Sequence, residues 1–221
     1  LKNLALTAMA GKGVEASRTL LSDLVVKAAT SVAEIDGTVD MDNIKVEKKV
    51  GGFLEDSEIV QGIVIDKERV HPGMPTKITN AKVMLINAPI EYTKPEVDAQ
   101  LLITSPDQLQ AFVNEEERMT KVIVEKIIKT GANVVICQNA IGDIAQHYLS
   151  KAKILAVRRV KYSDMNNLVR ATGASIISSI DAISSNDLGY AGLVEERKVS
   201  GEEMIFIEKC KNPKAISLII R

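Results

Sequence analysis

The chain has 221 residues, 46% of them hydrophobic and 26% charged, with a net charge of −1. That is enough chain for one large or two small domains with their own cores, and the near balance of charge leaves no electrostatic case for a nucleic-acid partner. No apolar stretch approaches the ~20 residues that span a bilayer, and Leu1 opens neither a basic n-region nor a cleavage pattern, so no membrane partner is expected.

Leu4 to Ala10 is rich in alanine and leucine and reads as a helix. Gly11-Lys12-Gly13 follows it. With Ala16 and Asp36 these glycines match the spacing of a dinucleotide fingerprint, which would imply an oxidoreductase, but that fingerprint needs a β-strand immediately before it. Lys12 also lacks the upstream glycine and the following Ser or Thr of a P-loop. Two readings remain: a plain loop, or a helix-loop-helix whose glycine N–H groups and lysine form an anion site at a helix N-terminus.

Val14 to about Glu34 reads as one amphipathic helix, with Leu20, Leu21, Leu24, Val25, Ala28 and Val32 three and four apart, stopped by Asp36-Gly37. Thr38 to Glu58 is polar and reads as a short strand and connector outside the core. Ile59 to Asp66 alternates and leads into Val70-His71-Pro72-Gly73-Met74-Pro75, a rigid loop. A domain boundary is expected near Asp66.

Ala81 to Asn87 is the next strand. After the polar stretch Glu91 to Gln100, with its strand-breaking Pro95, come Leu101, Leu102 and Ile103. Ser105 then stands as N-cap, Pro106 as first helical residue, Gln108 as partner in a capping box and Gly131 as left-handed stop. The helix between them spans roughly 37 Å at 1.5 Å per residue. Its C-terminal half (Val122, Ile123, Val124, Ile127, Ile128) should bury against a sheet, whereas Leu109, Phe112 and Val113 precede the charged run Glu115 to Arg118. An apolar tip on a polar stalk offers a contact surface, or else closes a small satellite core.

The remainder alternates: strand Asn133 to Cys137, helix Gly142 to Lys151, strand Ile154 to Val157, helix Asp164 to Thr172 bracketed by Ser163 and Gly173, strand Ala174 to Ser178. This spacing predicts parallel strands with right-handed crossovers. Leu193 to Val199, Met204 to Cys210 and Ala215 to Ile220 read as three strands joined by short turns. The fold class is thus α/β, with a β-rich end and a long protruding helix, behind a mostly helical N-terminal segment. Cys137 and Cys210 read as buried strand residues and His71 and His147 as structural, with no metal spacing, and a reducing, cytoplasmic setting fits. No nucleophile elbow, carboxylate pair or His-Asp relay can be assembled; Asp143 and Asp164 read as helix-dipole partners.

Several stretches in order resemble the group II chaperonins, the archaeal thermosome and its eukaryotic cytosolic relatives, with wording of the archaeal type. They are Thr7 to Gly13 (TAMAGKG), Ile65 to Pro75 (IDKERVHPGMP), Ile103 to Phe112 (ITSPDQLQAF), Thr130 to Val135, Ala156 to Val160, Leu193 to Arg197 and Cys210 to Ala215. Gln138-Asn139-Ala140-Ile141-Gly142-Asp143 departs from the family's usual Gln-Lys-Gly-Ile-Asp-Asp.

The resemblance implies an ATP-dependent folding machine, hydrolysing ATP with Mg2+ in the intact parent. Residues 1–66 would be the outgoing half of its intermediate domain. Residues 67–220 would be the apical substrate-binding domain, with a helical protrusion at about 91–118. The equatorial ATPase domain would be absent: its glycine-rich phosphate motif would lie upstream of Leu1, and the catalytic aspartate downstream of Arg221. No catalytic residue and no bound cofactor are then expected in this segment. Gly11, Lys12 and Gly13 would sense nucleotide, and Leu101, Leu102, Ile103, Leu109, Phe112 and Val113 would bind non-native polypeptide. Partners would be such polypeptides and like or related subunits in a double ring. A stand-alone, ATP-independent minichaperone is the alternative.

Overall fold

Val83 to Ile86 and Val134 to Cys137 are unbroken apolar runs because helices cover both faces of the sheet they occupy. The computed structural model describes residues 1–91, 106–211 and 214–221, the side chains of 106–109 and 111 excepted. In chain order these form α1 (Lys2–Met9), α2 (Arg18–Val32), β1 (Ile44–Lys48), β2 (Glu58–Val60), β3 (Gly62–Ile65), β4 (Lys77–Ile86), α3 (Pro106–Lys129), β5 (Val134–Cys137), α4 (Asp143–Lys151), β6 (Leu155–Val157), α5 (Tyr162–Thr172), β7 (Ile176–Ile177), β8 (Gly189–Val199), β9 (Glu202–Glu208) and β10 (Ile216–Ile220).

The larger sheet runs β3-β9-β8-β4-β5-β6, with β7 beside the end of β4. β4, β5, β6 and β7 are parallel, and β8, β9 and β3 continue antiparallel from β4. Strand period then sorts the side chains. Val83 and Leu85 face Met165 and Leu168 of α5, while Met84 and Ile86 face Val124 and Ile127 of α3 and Ala145 and Leu149 of α4. The result is three layers, as the alternation of strands and helices predicts. Gly131 and Gly173 stop their helices at φ +79 and +74.

The smaller sheet, β1-β10-β2, packs Ile216, Ile44 and Ile59 beneath Ala28 and Val32 of α2. One expectation changes here. Ile216–Ile220 does not extend the β-rich end: it is the middle strand of the small sheet, parallel to β1 and antiparallel to β2. The short strand expected within Thr38 to Glu58 is β1, an edge strand of this sheet whose Ile44 packs against Ala28, Val32 and Ile216. The changeover between sheets lies at Gln61, where β2 of the small sheet is followed by β3, which pairs with β9. Gly62 permits the crossing: its φ is +150, and a Cβ there would lie 1.9 Å from the Ile207 carbonyl oxygen.

Side chains of the small sheet finish the open edge of β3. Val64 N–H donates to Ser217 Oγ at 2.9 Å, and Lys45 Nζ donates to Val64 O at 2.7 Å. Both outward groups of a buried edge residue are thereby satisfied. At the opposite edge, Val70 N–H donates to Ala156 O at 3.0 Å and Ala156 N–H to Met74 Sδ at 3.4 Å, so the proline-rich loop shields β6.

Two helix starts differ from expectation. Val14 (φ −110, ψ 20) and Ser17 (φ −116, ψ 13) leave helical geometry, so a 3-10 turn at Glu15–Ser17 precedes α2. Ser163 lies inside the first turn of α5, whose N-cap is Lys161.

Candidate functional site

Helix α3 is the next described element after β4, and its 3.6-residue period decides which of its hydrophobes meet the sheet. Thr120, Val124 and Ile127 form the buried stripe. Val122 and Ile128 lie off that stripe, so they stay 44% and 41% exposed, contrary to the expectation that this half is buried throughout. A linear apolar run was there, but helical rotation spreads it around the cylinder.

Towards the N-terminus of α3 the stripe becomes exposed. Val113 lies on the line of Thr120 and Val124 yet is 43% exposed; Met119 is exposed and Phe112 half-buried. Leu109 is helical, with its side chain outside the described residues, and Leu101, Leu102 and Ile103 lie outside them altogether. Polar pins hold α3 on both sides: Tyr148 Oη donates to Glu117 Oε1 at 2.6 Å, and Lys126 Nζ lies 2.6 Å from Asp181 Oδ1. The carboxylate of Glu117 raises the Tyr148 phenol above its usual range, and Lys126 lowers the Asp181 carboxyl. Beside each pin lies an open recess. One, of about 560 Å³, has Met119, Val122 and Ile123 opposite Ala88, Pro89 and Ile180; the other, of about 270 Å³, has Val124 and Ile128 opposite Tyr148 and Ala152. Apolar floors with charged rims suit an apolar polypeptide segment.

The Gly11-Lys12-Gly13 loop joins α1 to the 3-10 turn, with Gly11 at φ +74 and Gly13 at φ +71. Lys12 is exposed and enters no ion pair among the described residues. The loop does not deliver its amides to a free helix N-terminus as the anion-site reading supposes. Gly11 N–H donates to Glu15 Oε1 at 3.3 Å, and the α-helix starts only at Arg18. An incoming anion would have to displace the Glu15 carboxylate, an exchange that Lys12 favours by charge. The segment before the glycines is the helix α1, so the dinucleotide fingerprint lacks its strand, and Asp36 is engaged with Thr38.

The remaining candidates are structural. His71 Nδ1 accepts from Gly73 N–H at 3.0 Å, and His147 meets Tyr148 edge-on at 5.7 Å. Burial pushes the thiols of Cys137 and Cys210 up to about 11. Asp143 opens α4, but Asp164 reaches past its own helix to Lys45 at 2.8 Å. The Gln138 to Asp143 departure forms a turn joined to Ile90 by a parallel bridge to Ile141, and a Cβ at Gly142 would lie 3.0 Å from that of Glu91. Among the described residues no helix is long and apolar enough to cross a membrane, and no cluster of His, Cys, Asp or Glu could hold a metal.

Comparison with protein-family models matches residues 1–221 to the TCP-1/cpn60 chaperonin family. A thermosome subunit of Methanopyrus kandleri is 60% identical over 224 residues, covering 100% of this chain and 41% of its own length. The thermosome subunit beta of Methanothermobacter thermautotrophicus is 56% identical over 221 residues, again 100% and 41%. The chain thus spans about two fifths of the length of these relatives. The solved open-state monomer of a group II chaperonin from Methanococcoides burtonii superposes with a TM-score of 0.81 at 43% identity, over 99% of this chain and 49% of that one. Matched along its whole length in sequence and in fold, the chain belongs to the TCP-1/cpn60 chaperonin family, on its group II side.

Proposed function

We propose that this chain is the client-facing and lid-bearing part of an ATP-driven protein-folding chamber in the cytoplasm, built from like or related subunits in a double ring. Residues 1–66 are assigned to the outgoing intermediate segment and 67–220 to the apical domain, with the protrusion at about 91–118. The observation that carries this reading is the apolar stripe of α3, which runs on to an exposed Val113 beyond the buried Thr120, Val124 and Ile127. Contacts made by Leu101, Leu102, Ile103, Leu109, Phe112 and Val113 would each bury modest apolar area without demanding a sequence, giving weak, promiscuous capture.

ATP with Mg2+, bound elsewhere in the parent protein, supplies the γ-phosphate charge. Lys12, carried on a two-glycine turn, is the residue of this chain suited to meet it, with Glu15 releasing Gly11 as it does so. A ligand shifts a conformational equilibrium only through different affinity for its two states, and a lysine that reaches phosphate in one state alone provides that difference. The small-sheet unit would then turn and the larger unit swing, withdrawing its apolar surface from solvent.

Capture of an unfolded test protein by the full-length assembly tests the first assignment. Serine at Leu102 and Phe112 together should abolish most capture in the absence of nucleotide, and unchanged capture would reduce the tip to a lid contact. Lys12→Ala tests the second: ATP-driven closure should fail, and a ring that still closes normally removes the sensing role.

A further inference from the structure

The exit of α2 is an exposed turn held by four hydrogen bonds of its own. Gly37 N–H donates to Glu34 O at 2.9 Å, and Glu34 N–H donates to Thr38 O at 2.9 Å. Asp36 Oδ1 accepts from Thr38 N–H at 3.0 Å and from Thr38 Oγ1 at 2.7 Å. The position of Gly37, at φ +82, is one that L side chains rarely adopt, so the turn demands glycine there, while its hydrogen bonds demand a short side-chain acceptor before it. Those two demands together create an Asp-Gly pair in an exposed loop. With no Cβ on the following residue, the amide nitrogen of such a pair has open access to the preceding side-chain carboxyl.

We propose that Asp36-Gly37 is a latent isoaspartate site, held dormant by Thr38 and by the carbonyl of Glu34. In the reaction the Gly37 nitrogen bonds to Asp36 Cγ. One carboxyl oxygen leaves as water, taking the amide proton and the carboxyl proton, and a five-membered succinimide results. Water then adds at either ring carbonyl. Breaking the bond from nitrogen to Cγ restores Asp36; breaking the bond to the main-chain carbonyl carbon routes the backbone through Cγ and lengthens it by one carbon. Nothing but water is exchanged.

Two conditions govern the attack, and the turn opposes both. The amide must leave its acceptor, but Glu34 O holds it; the carboxyl must be free to reorient in protonated form, but Thr38 holds one of its oxygens with two donors. The same Thr38 hydroxyl, acting first, keeps the Asp36 carboxyl below its ordinary range and so in its unreactive ionised form. This inference stands independently of the chaperone reading.

The test is warm incubation of the full-length protein at neutral pH, folded and in guanidinium, with isoaspartate at residue 36 measured by isoaspartyl methyltransferase labelling and fragment-ion mass spectrometry. The folded chain should accumulate it about tenfold more slowly, the worth of one to two net hydrogen bonds; equal rates in the two conditions overturn the proposal. Within the folded protein, Thr38→Val should react about fivefold faster, as one lost hydrogen bond requires, and Thr38→Ser should keep the parent rate. A Thr38→Val protein with intact circular dichroism and an unchanged rate likewise overturns it.

Discussion

Lys45 on β1 and Asp164 on α5 meet at 2.8 Å across the junction of the two sheets, with side chains only 12% and 7% exposed. The same ammonium holds Glu47 at 3.0 Å and the open carbonyl of Val64 at 2.7 Å. Removing one member of a buried pair leaves the other charge without compensation. Lys45→Ala should therefore destabilise the protein by about 3 kcal/mol in equilibrium denaturation, and Lys45→Met with Asp164→Leu should regain most of that loss. A single-mutant cost below the level of an exposed ion pair would show that the junction is held by its apolar contacts alone.

Cys137 and Cys210 carry thiols pushed up to about 11, chiefly by burial, against an ordinary value near 9. Folding favours their protonated form, so that contribution is complete below pH 9 and is lost as the pH rises from 9 to 11, at about 3 kcal/mol for each thiol. The protein should resist iodoacetamide at pH 8 until it is unfolded, and its melting temperature should fall steeply across that alkaline window. Rapid labelling of either thiol in the folded state would contradict the burial described.

Met74 offers a thioether to Ala156 N–H at 3.4 Å while lying almost wholly buried. Met74→Leu keeps the volume and removes the acceptor, so it should cost about 1 kcal/mol and speed hydrogen exchange at Ala156 in particular. Met74→Ala should cost about 3 kcal/mol, since it adds a cavity. If Ala156 exchanges no faster in the leucine variant, the sulfur contact is packing only.

Gly62 cannot carry a side chain, because its Cβ would overlap the Ile207 carbonyl oxygen at 1.9 Å. Gly62→Ala should cost at least ~3 kcal/mol and loosen the pairing of β3 with β9, seen as lost exchange protection at Ile63 and Ile207. An alanine variant of parental stability would place the crossing elsewhere.

Local structure was legible wherever neighbouring residues settle it. Pro106 and Gly131 bound α3, Gly173 stops α5, and the unbroken runs at Val83 and Val134 announced strands covered on both faces. What stayed hidden depends on distant partners or on rotation about an axis. Nothing in Ile216 to Ile220 records that it will lie beside Ile44 to Lys48 rather than beside β9, because strand pairing is chosen by the whole fold. Asp164 looked like a local dipole partner for the same reason: Lys45 is remote in sequence. Val122 sits in an apolar run yet off the buried stripe, a distinction that only rotation about the helix axis makes. The candidate surface was therefore traceable to α3 but not to its individual side chains. The Gly11 turn was foreseen without the carboxylate of Glu15 that occupies it.

The crossing at Gly62 has a mechanical side. β2 runs directly into β3, and their antiparallel neighbours β10 and β9 are likewise successive in the chain. The chain thus crosses between the sheets twice, at Gln61 and between Glu208 and Ile216. A lone tether would let either body spin about a few single bonds; two crossings side by side share torque instead. A turn of the unit beside α2 would then carry the larger sheet, and α3 with it, rather than being taken up as idle swivelling.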